Sequence, residues 1–247
     1  MNGFREHRRY LAAATLGGDA GGRGRQRAID RDEKEARRQA ILDAADRLFA
    51  ERQDLANVAD VAKEAGLAKG TVYLYFQSKE EIYLALHLRH VEYFFTKLIA
   101  RLNSPQPFRF EEMQALADEH ILNANTYLPL SACCIGFAAG TVREVVGAHF
   151  QARLTEWLQT AGSRLETHFA KIVRGEGVRL LRHSYAIMLG LYSLMRTEQD
   201  GKLKCMQIEG MGSFQEEASL ALLRYWSHVA GIEDGAERTN KPTGQND

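Results

Sequence analysis

Residues Asn57–Leu86 read NVADVAKEAGLAKGTVYLYFQSKEEIYLAL, and the reading of the whole chain starts from this stretch. Val58, Val61, Ala62 and Ala65 recur at helical spacing, which predicts one short helix. Asn57 precedes them as an N-cap, its side-chain oxygen taking a free N–H of the first turn. Gly66 supplies the left-handed residue that ends this helix, and Leu67 is expected as a buried pivot after the turn. Lys69–Phe76 predicts a second short helix, too short to be stable alone. Ser78-Lys79-Glu80-Glu81 has the spacing of a capping box and opens a third, longer helix. Two short helices around an Ala-Gly-Leu turn form a helix-turn-helix, whose second helix would enter the DNA major groove.

The residue types on that second helix suit the role. Lys69, Thr71, Tyr73 and Tyr75 offer donors to phosphates or base edges, and Lys79 adds a charge at the next helix start. Thr71 and Val72 carry methyls that can meet a thymine methyl. Phe76 is assigned to core packing. Tyr73 and Tyr75 suit a half-buried amphipathic position as well as a DNA contact.

The run AGLAKGTVYLYFQSKEEIYLAL resembles the helix-turn-helix of TetR-family transcriptional regulators. The matching positions are Gly66, Leu67, Lys69, Gly70, Thr71, Val72, Tyr73, Tyr75, Phe76, Ser78, Lys79 and Glu80. Ile41–Ala45 and Leu48–Arg52 extend the likeness back through the family's first helix, so that it spans roughly residues 36 to 90. The resemblance implies DNA-contacting positions at Arg38, Asn57, Ala68, Lys69, Gly70, Thr71, Val72, Tyr73, Tyr75 and Lys79. Arg38 takes the place of a phosphate-contacting arginine, whereas Arg37 reads equally as a solvated charge. Three departures stand out. Ala68 replaces the usual Ser or Thr, Ala56-Asn57-Val58 replaces Thr-Thr-Val, and the loop Gln53-Asp54-Leu55 is about one residue short and lacks a Gly.

Composition agrees with a soluble helical protein. The chain has 247 residues, 45% of them hydrophobic, and four prolines at positions 105, 107, 129 and 242. The proline-free run from Leu130 to Lys241 is rich in helix formers, and no alternating strand pattern with hairpin turns is read in it. The expected fold class is therefore all-α: an N-terminal three-helix DNA-binding domain plus a C-terminal helical domain, about nine helices together. Net charge is zero, but residues 1–40 carry ten Lys or Arg against six Asp or Glu, and the remainder balances them. Attraction to DNA would be local, from Arg37, Arg38, Lys69, Lys79 and the N-terminal arm. With no run of about twenty apolar residues, no membrane span is expected. Three cysteines make no disulfide framework, which suits the cytoplasm.

Four regions follow. Residues 1–31 read as a flexible basic arm whose Arg23, Arg25 and Arg27 are either inert or laid along a minor groove. Residues 32–86 are the DNA-binding domain, its first helix running from about Asp32 to Arg52 with Ile41, Ala44, Ala45, Leu48 and Phe49 inward. Residues 87–231 are a helical ligand-binding and dimerisation domain, and 232–247 a loose tail. The helix after Ser78 is expected to reach about Leu102 and to couple its two ends mechanically. Asn103–Pro107 then breaks the chain, and helices follow over about 108–127, 130–139, 142–173, 178–197 and 214–230. Thr141–Glu144 and Ser213–Glu216 have capping-box spacing. The first of these opens a helix with Val142, Val145, Val146, Phe150, Leu154, Trp157 and Leu158 on one side. The last two helices are apolar on more than one face, which predicts a two-fold homodimer through a four-helix contact.

No nucleophile elbow, phosphate-binding Gly-rich loop, paired Glu-x-x-His or His cluster at ligand spacing is present, so no enzyme, cofactor or metal is expected. The resemblance implies a ligand-responsive repressor, released from a palindromic double-stranded operator by a small apolar effector. Candidate pocket residues are Met113, Leu116, His120, Cys133, Phe137, Phe150, Trp157 and Tyr192, each also readable as core. The alternative is a redox-sensing regulator or helical enzyme using Cys133 and Cys134.

Overall fold

The structure, a computed structural model, describes residues 23–137, 140–199, 202–205 and 209–232. The chain divides into two compact units, Met1–Ala40 and Ile41–Asp247. Among the described residues there are nine α-helices, one π-helical turn and one two-stranded ribbon. They run α1 (Arg23–Arg52), α2 (Val58–Glu64), α3 (Lys69–Tyr73), α4 (Lys79–Leu102), α5 (Phe110–Ala117), the π turn (Asp118–Leu122), α6 (Tyr127–Ile135), α7 (Glu144–His168), α8 (Glu176–Met195), β1 (Arg196–Gln199), β2 (Lys202–Cys205) and α9 (Phe214–Ala230). The all-α class and its helix number hold.

Helix α1 begins at Arg23 rather than at Asp32, so the last part of the expected arm is helical. Within the first unit its charges pair along the helix, Arg37 with Glu33 and Arg38 with Glu35 at 3.8 Å. Residues 1–22 and 233–247, where the rest of the arm and most of the tail were expected, lie outside the described residues.

In the second unit Ile41, Ala44, Ala45, Leu48 and Phe49 are buried against Val58, Val61, Ala62, Val72, Phe76, Ile82, Tyr83 and Leu86. This is the core of the helix-turn-helix. Asn57 Oδ1 accepts the amides of Ala59 and Asp60 at 2.9 and 3.0 Å, capping α2. Gly66 takes φ +68°. Leu67 N then donates to Ala62 O and Gly66 N to Lys63 O, at 2.9 and 3.1 Å, closing a Schellman turn. Leu67 itself is only half-buried, since the turn leaves one of its sides in solvent. Tyr83 braces the short 53–56 loop by accepting the Ala56 amide on its hydroxyl at 3.0 Å.

Helix α4 leaves this core and enters a second one. Arg89 ties it to α1, reaching Asp43 at 2.6 Å and Asp46 at 3.4 Å. Farther on, Val91, Phe94, Phe95, Leu98 and Leu102 pack with α5 to α9. The 103–107 turn is held by Arg101, which bonds the carbonyls of Gln106 and Pro107 and the Glu112 carboxylate. His168 accepts the Phe108 amide on Nδ1 at 3.2 Å. Its proton therefore sits on Nε2, which donates to Leu102 O at 2.9 Å.

Four local expectations change. The single helix over 108–127 is α5 followed by a π turn, closed by Asn123 N to Asp118 O at 2.9 Å, and it ends there. Helix α7 stops at His168 instead of continuing to 173, and Val145 is exposed rather than inward. After the break, Glu166 Oε1 accepts the amides of Gly175 and Gly177 at 2.8 and 3.0 Å and so opens α8. Residues 196–199 pair antiparallel with 202–205, Arg196 opposite Cys205, where only helix and loop were expected. The box at Ser213 forms in full, with Glu216 reaching back to the Ser213 amide at 2.7 Å.

Candidate nucleic-acid interface

Helix α3 is five residues long and cannot stand alone. It is held from beneath by Val72 and Phe76, both buried, with Thr71 and Tyr75 half-buried at its flanks. Val72 is fully enclosed. It was expected to reach a thymine methyl, but its four-residue spacing from Phe76 puts it on the inward face. The outward face presents Ala68, Lys69, Gly70 and Tyr73, the last 44% exposed. Lys69 Nζ lies 5.8 Å from the Tyr73 ring centre, a cation–π contact that aims both polar ends outward.

Ala68 occupies the cap of α3 in extended conformation, without a side-chain hydrogen bond to offer. Gly70 has open space where a Cβ would project. Asn57 is exposed, yet its side chain is committed to capping α2 and to Asp60. Lys79 is half-buried at the start of α4. Arg38 belongs to the first unit and pairs there with Glu35. The residue that sequence reasoning missed is Leu74, 81% exposed at the end of α3. It sits midway between Val72 and Phe76, and that spacing already marked it as outward.

The charges around α3 are sorted. Glu64 pairs with Arg47 at 2.7 Å and Asp60 with Arg52 at 3.1 Å. Among the described residues Lys63, Lys69 and Lys79 make no ion pair, which leaves three lysine charges on the helix-turn-helix uncompensated by a bonded carboxylate.

Residues 41–86 match the family described as bacterial regulatory proteins, tetR family. These residues are thus a TetR-type helix-turn-helix domain. The transcriptional activator FasR of Mycolicibacterium smegmatis is 40% identical over 74 residues, 30% of this chain and 32% of that protein. The chain thus aligns with about a third of that relative's length. Among solved structures, a TetR-family regulator from Mesorhizobium loti superposes with TM-score 0.52 at 18% identity, over 78% of this chain and 96% of that one. The Stenotrophomonas maltophilia efflux-pump repressor SmeT gives 0.50 at 18%, over 80% and 91%. These likenesses extend the TetR-type fold through the second helical region. No helix among the described residues is long and apolar enough to cross a membrane.

The expected pocket residues do not form one set. Met113, Trp157 and Tyr192 are buried in the larger core, with Leu116 packed on it. Trp157 stacks on Phe95 and carries the Arg153 guanidinium 4.7 Å above its ring. His120 meets Tyr93 edge-on, and Phe150 stacks on His87. Cys133 and Phe137 pack instead on the helix-turn-helix core, which α6 enters through Leu130. Helix α6 therefore serves both cores, since Tyr127 and Leu128 belong to the larger one.

Cys133 and Cys134 are poor thiolates. Burial pushes both thiols up, and Cys134 Sγ donates to Tyr83 O at 3.8 Å.

One arrangement escaped the sequence reading. Ser78 Oγ accepts the Glu81 amide at 3.2 Å, as a capping box requires. The Glu81 carboxylate does not return to Ser78 but accepts the Gln77 amide at 3.0 Å and the side chain of Arg143. The expected box at Thr141–Glu144 is not made, because Arg143 caps α7 without a side-chain bond. Thr141 and Arg143 turn to α4 instead.

Proposed function

We propose that the chain is a homodimeric, cytoplasmic repressor. It grips a palindromic operator with α3 of each copy and releases it when a small apolar effector binds the second helical region. The observation that carries this reading is the division of α3 and the turn after it into a buried side, Val72 and Phe76, and an outward side of Lys69, Gly70, Tyr73 and Leu74. An outward lysine and tyrosine on a buttressed helix serve phosphate and base contacts. Helices α8 and α9 support the dimer by leaving Leu194 and Leu220 exposed. For SmeT a complex with triclosan is known, which favours an effector of similar apolar character here. The protonated, partly enclosed thiols of Cys133 and Cys134 count against the redox alternative.

The test is selection of bound duplexes from a random pool with the full-length protein at fixed salt. A palindrome with half-sites about one turn apart is expected. Recovery of no preferred duplex, or of a site needing only one copy, refutes the proposal.

A further inference from the structure

Two contacts join the end of the reading segment to the start of α7. Arg143 Nε and Nη2 fork onto the Glu81 carboxylate at 2.6 and 2.8 Å, and the Arg143 amide adds a third bond at 3.2 Å. Beside them Ser78 Oγ donates to Thr141 O at 2.8 Å. Glu81 is 1% exposed, and its fourth donor is the Gln77 amide. Gln77 directly follows Phe76, the residue that anchors α3 from below. The chain from the reading helix to α4 is thus bonded to the α7 entry over a sequence distance of about sixty residues.

We propose that Glu81 and Arg143 are positioning residues for DNA binding: through the Gln77–Ser78 elbow, the entry of α7 sets the pose of α3. The inference rests on the reading of α3 as the DNA-contacting helix. It deepens that reading by naming how the second helical region acts on it. A forked pair around a buried carboxylate has one good geometry. Removing the cation leaves Glu81 enclosed without a counter-charge, and the elbow must rearrange to hydrate it. Movement of the α7 entry would have the same consequence, which makes this joint a route by which a change in one region biases the other.

The side chain of Arg143 is 43% exposed, so its replacement spares the core. The experiment measures binding of the selected duplex, at fixed salt, by full-length wild type, R143Q, E81Q and E81Q/R143Q. R174Q, in the turn before α8, controls for lost positive charge. R143Q is expected to bind at least about tenfold more weakly while its thermal midpoint stays above the assay temperature. Adding E81Q removes the uncompensated carboxylate and is expected to recover part of the loss. R143K keeps a cation without the fork and is expected to fall between R143Q and wild type, which also covers the case of a poorly folded R143Q. Binding by folded R143Q or R143K equal to wild type overturns the proposal, and so does a double variant whose loss is the sum of the two single losses. A wild type without any preferred duplex would instead sink the reading of α3 itself, and this inference with it.

Discussion

Gly162 of α7 and Gly177 of α8 lie back to back, with no room between them for a side chain. A Cβ built on Gly162 would stand 2.6 Å from Val178 N and 2.9 Å from the Gly177 carbonyl carbon, and one on Gly177 would overlap the Gly162 backbone. The close crossing is what lets Glu166 reach the first amides of α8. Gly177→Ala must push two backbones apart, and a loss of about 1–3 kcal/mol is expected on thermal or denaturant unfolding. Gly147 in the same α7 faces open space, so Gly147→Ala is expected to be neutral or to gain up to about 1 kcal/mol. Equal effects at the two sites would show that the crossing is not tight.

Gly70 has no such constraint. It sits in a helix with free space around its Cα and no left-handed φ, so the fold itself does not require glycine there. Gly70→Ala is expected to raise stability by up to about 1 kcal/mol through helix propensity. On the proposed reading of α3 the added methyl would face the DNA, so operator binding is expected to weaken. Unfolding and binding measured on one preparation would show the two effects with opposite sign. Improved stability with unchanged binding would remove Gly70 from the interface. Lys69→Ala, by contrast, is expected to lower the salt slope of binding by about one unit, as loss of a single phosphate contact does.

What could be read from the sequence was what neighbours along the chain decide. Asn57 and Ser213 cap the helices predicted for them, because donor and acceptor lie within three residues. Gly66 turns the chain because a left-handed position was needed. The box at Thr141 had the same local signal, yet Ser78 and Glu81 offered distant partners that no local pattern contains. The 196–205 ribbon had one cue, the Asp200-Gly201 pair between its strands, a strong hairpin signal overridden by the helical character around it. At the candidate interface, Lys69, Gly70 and Tyr73 were legible as outward residues. Val72 was misplaced because a motif match does not say which matched positions hold the motif in place.

The proposed homodimer places its own demand on α8 and α9. Leu194 is 73% exposed, and Gly190 lies one turn before it on open helix surface. A glutamate at either position would bury a charge in a four-helix contact. Gly190→Glu and Leu194→Glu are expected to yield monomers by light scattering at micromolar concentration and to lose operator binding with the dimer. Dimers that survive both changes would place the subunit contact elsewhere.

Cys134 offers a test of the redox alternative. Burial is the main cause of its raised thiol pKa, and the nearby Cys133 adds to it. Native protein at pH 8 is therefore expected to alkylate at Cys134 far more slowly than unfolded protein, read site by site by mass spectrometry. Rapid native labelling would restore these thiols as sensor candidates.

His87 makes the second helical region sensitive to acid. Its ring is enclosed on α4 between Tyr127, edge-on at 5.7 Å, and Phe150, stacked at 5.7 Å, and its Nδ1 has no hydrogen-bond partner among the described residues. Burial, aided by the nearby His90, holds its pKa down at about 3. In the unfolded chain the same ring titrates near 6.5. Below that pH the unfolded state binds a proton that the folded state refuses, so stability falls as pH drops from about 6.5 toward 3. The slope approaches about 1.4 kcal/mol per pH unit. His87→Phe keeps the aromatic packing, removes both the proton acceptor and the unpaired nitrogen, and is expected to match or exceed wild type at pH 7. Carboxylates titrate in the same window in both proteins, so the difference between the two pH–stability curves isolates His87. That difference should widen steadily between pH 6 and pH 4, and parallel curves would mean that His87 is charged in the folded protein.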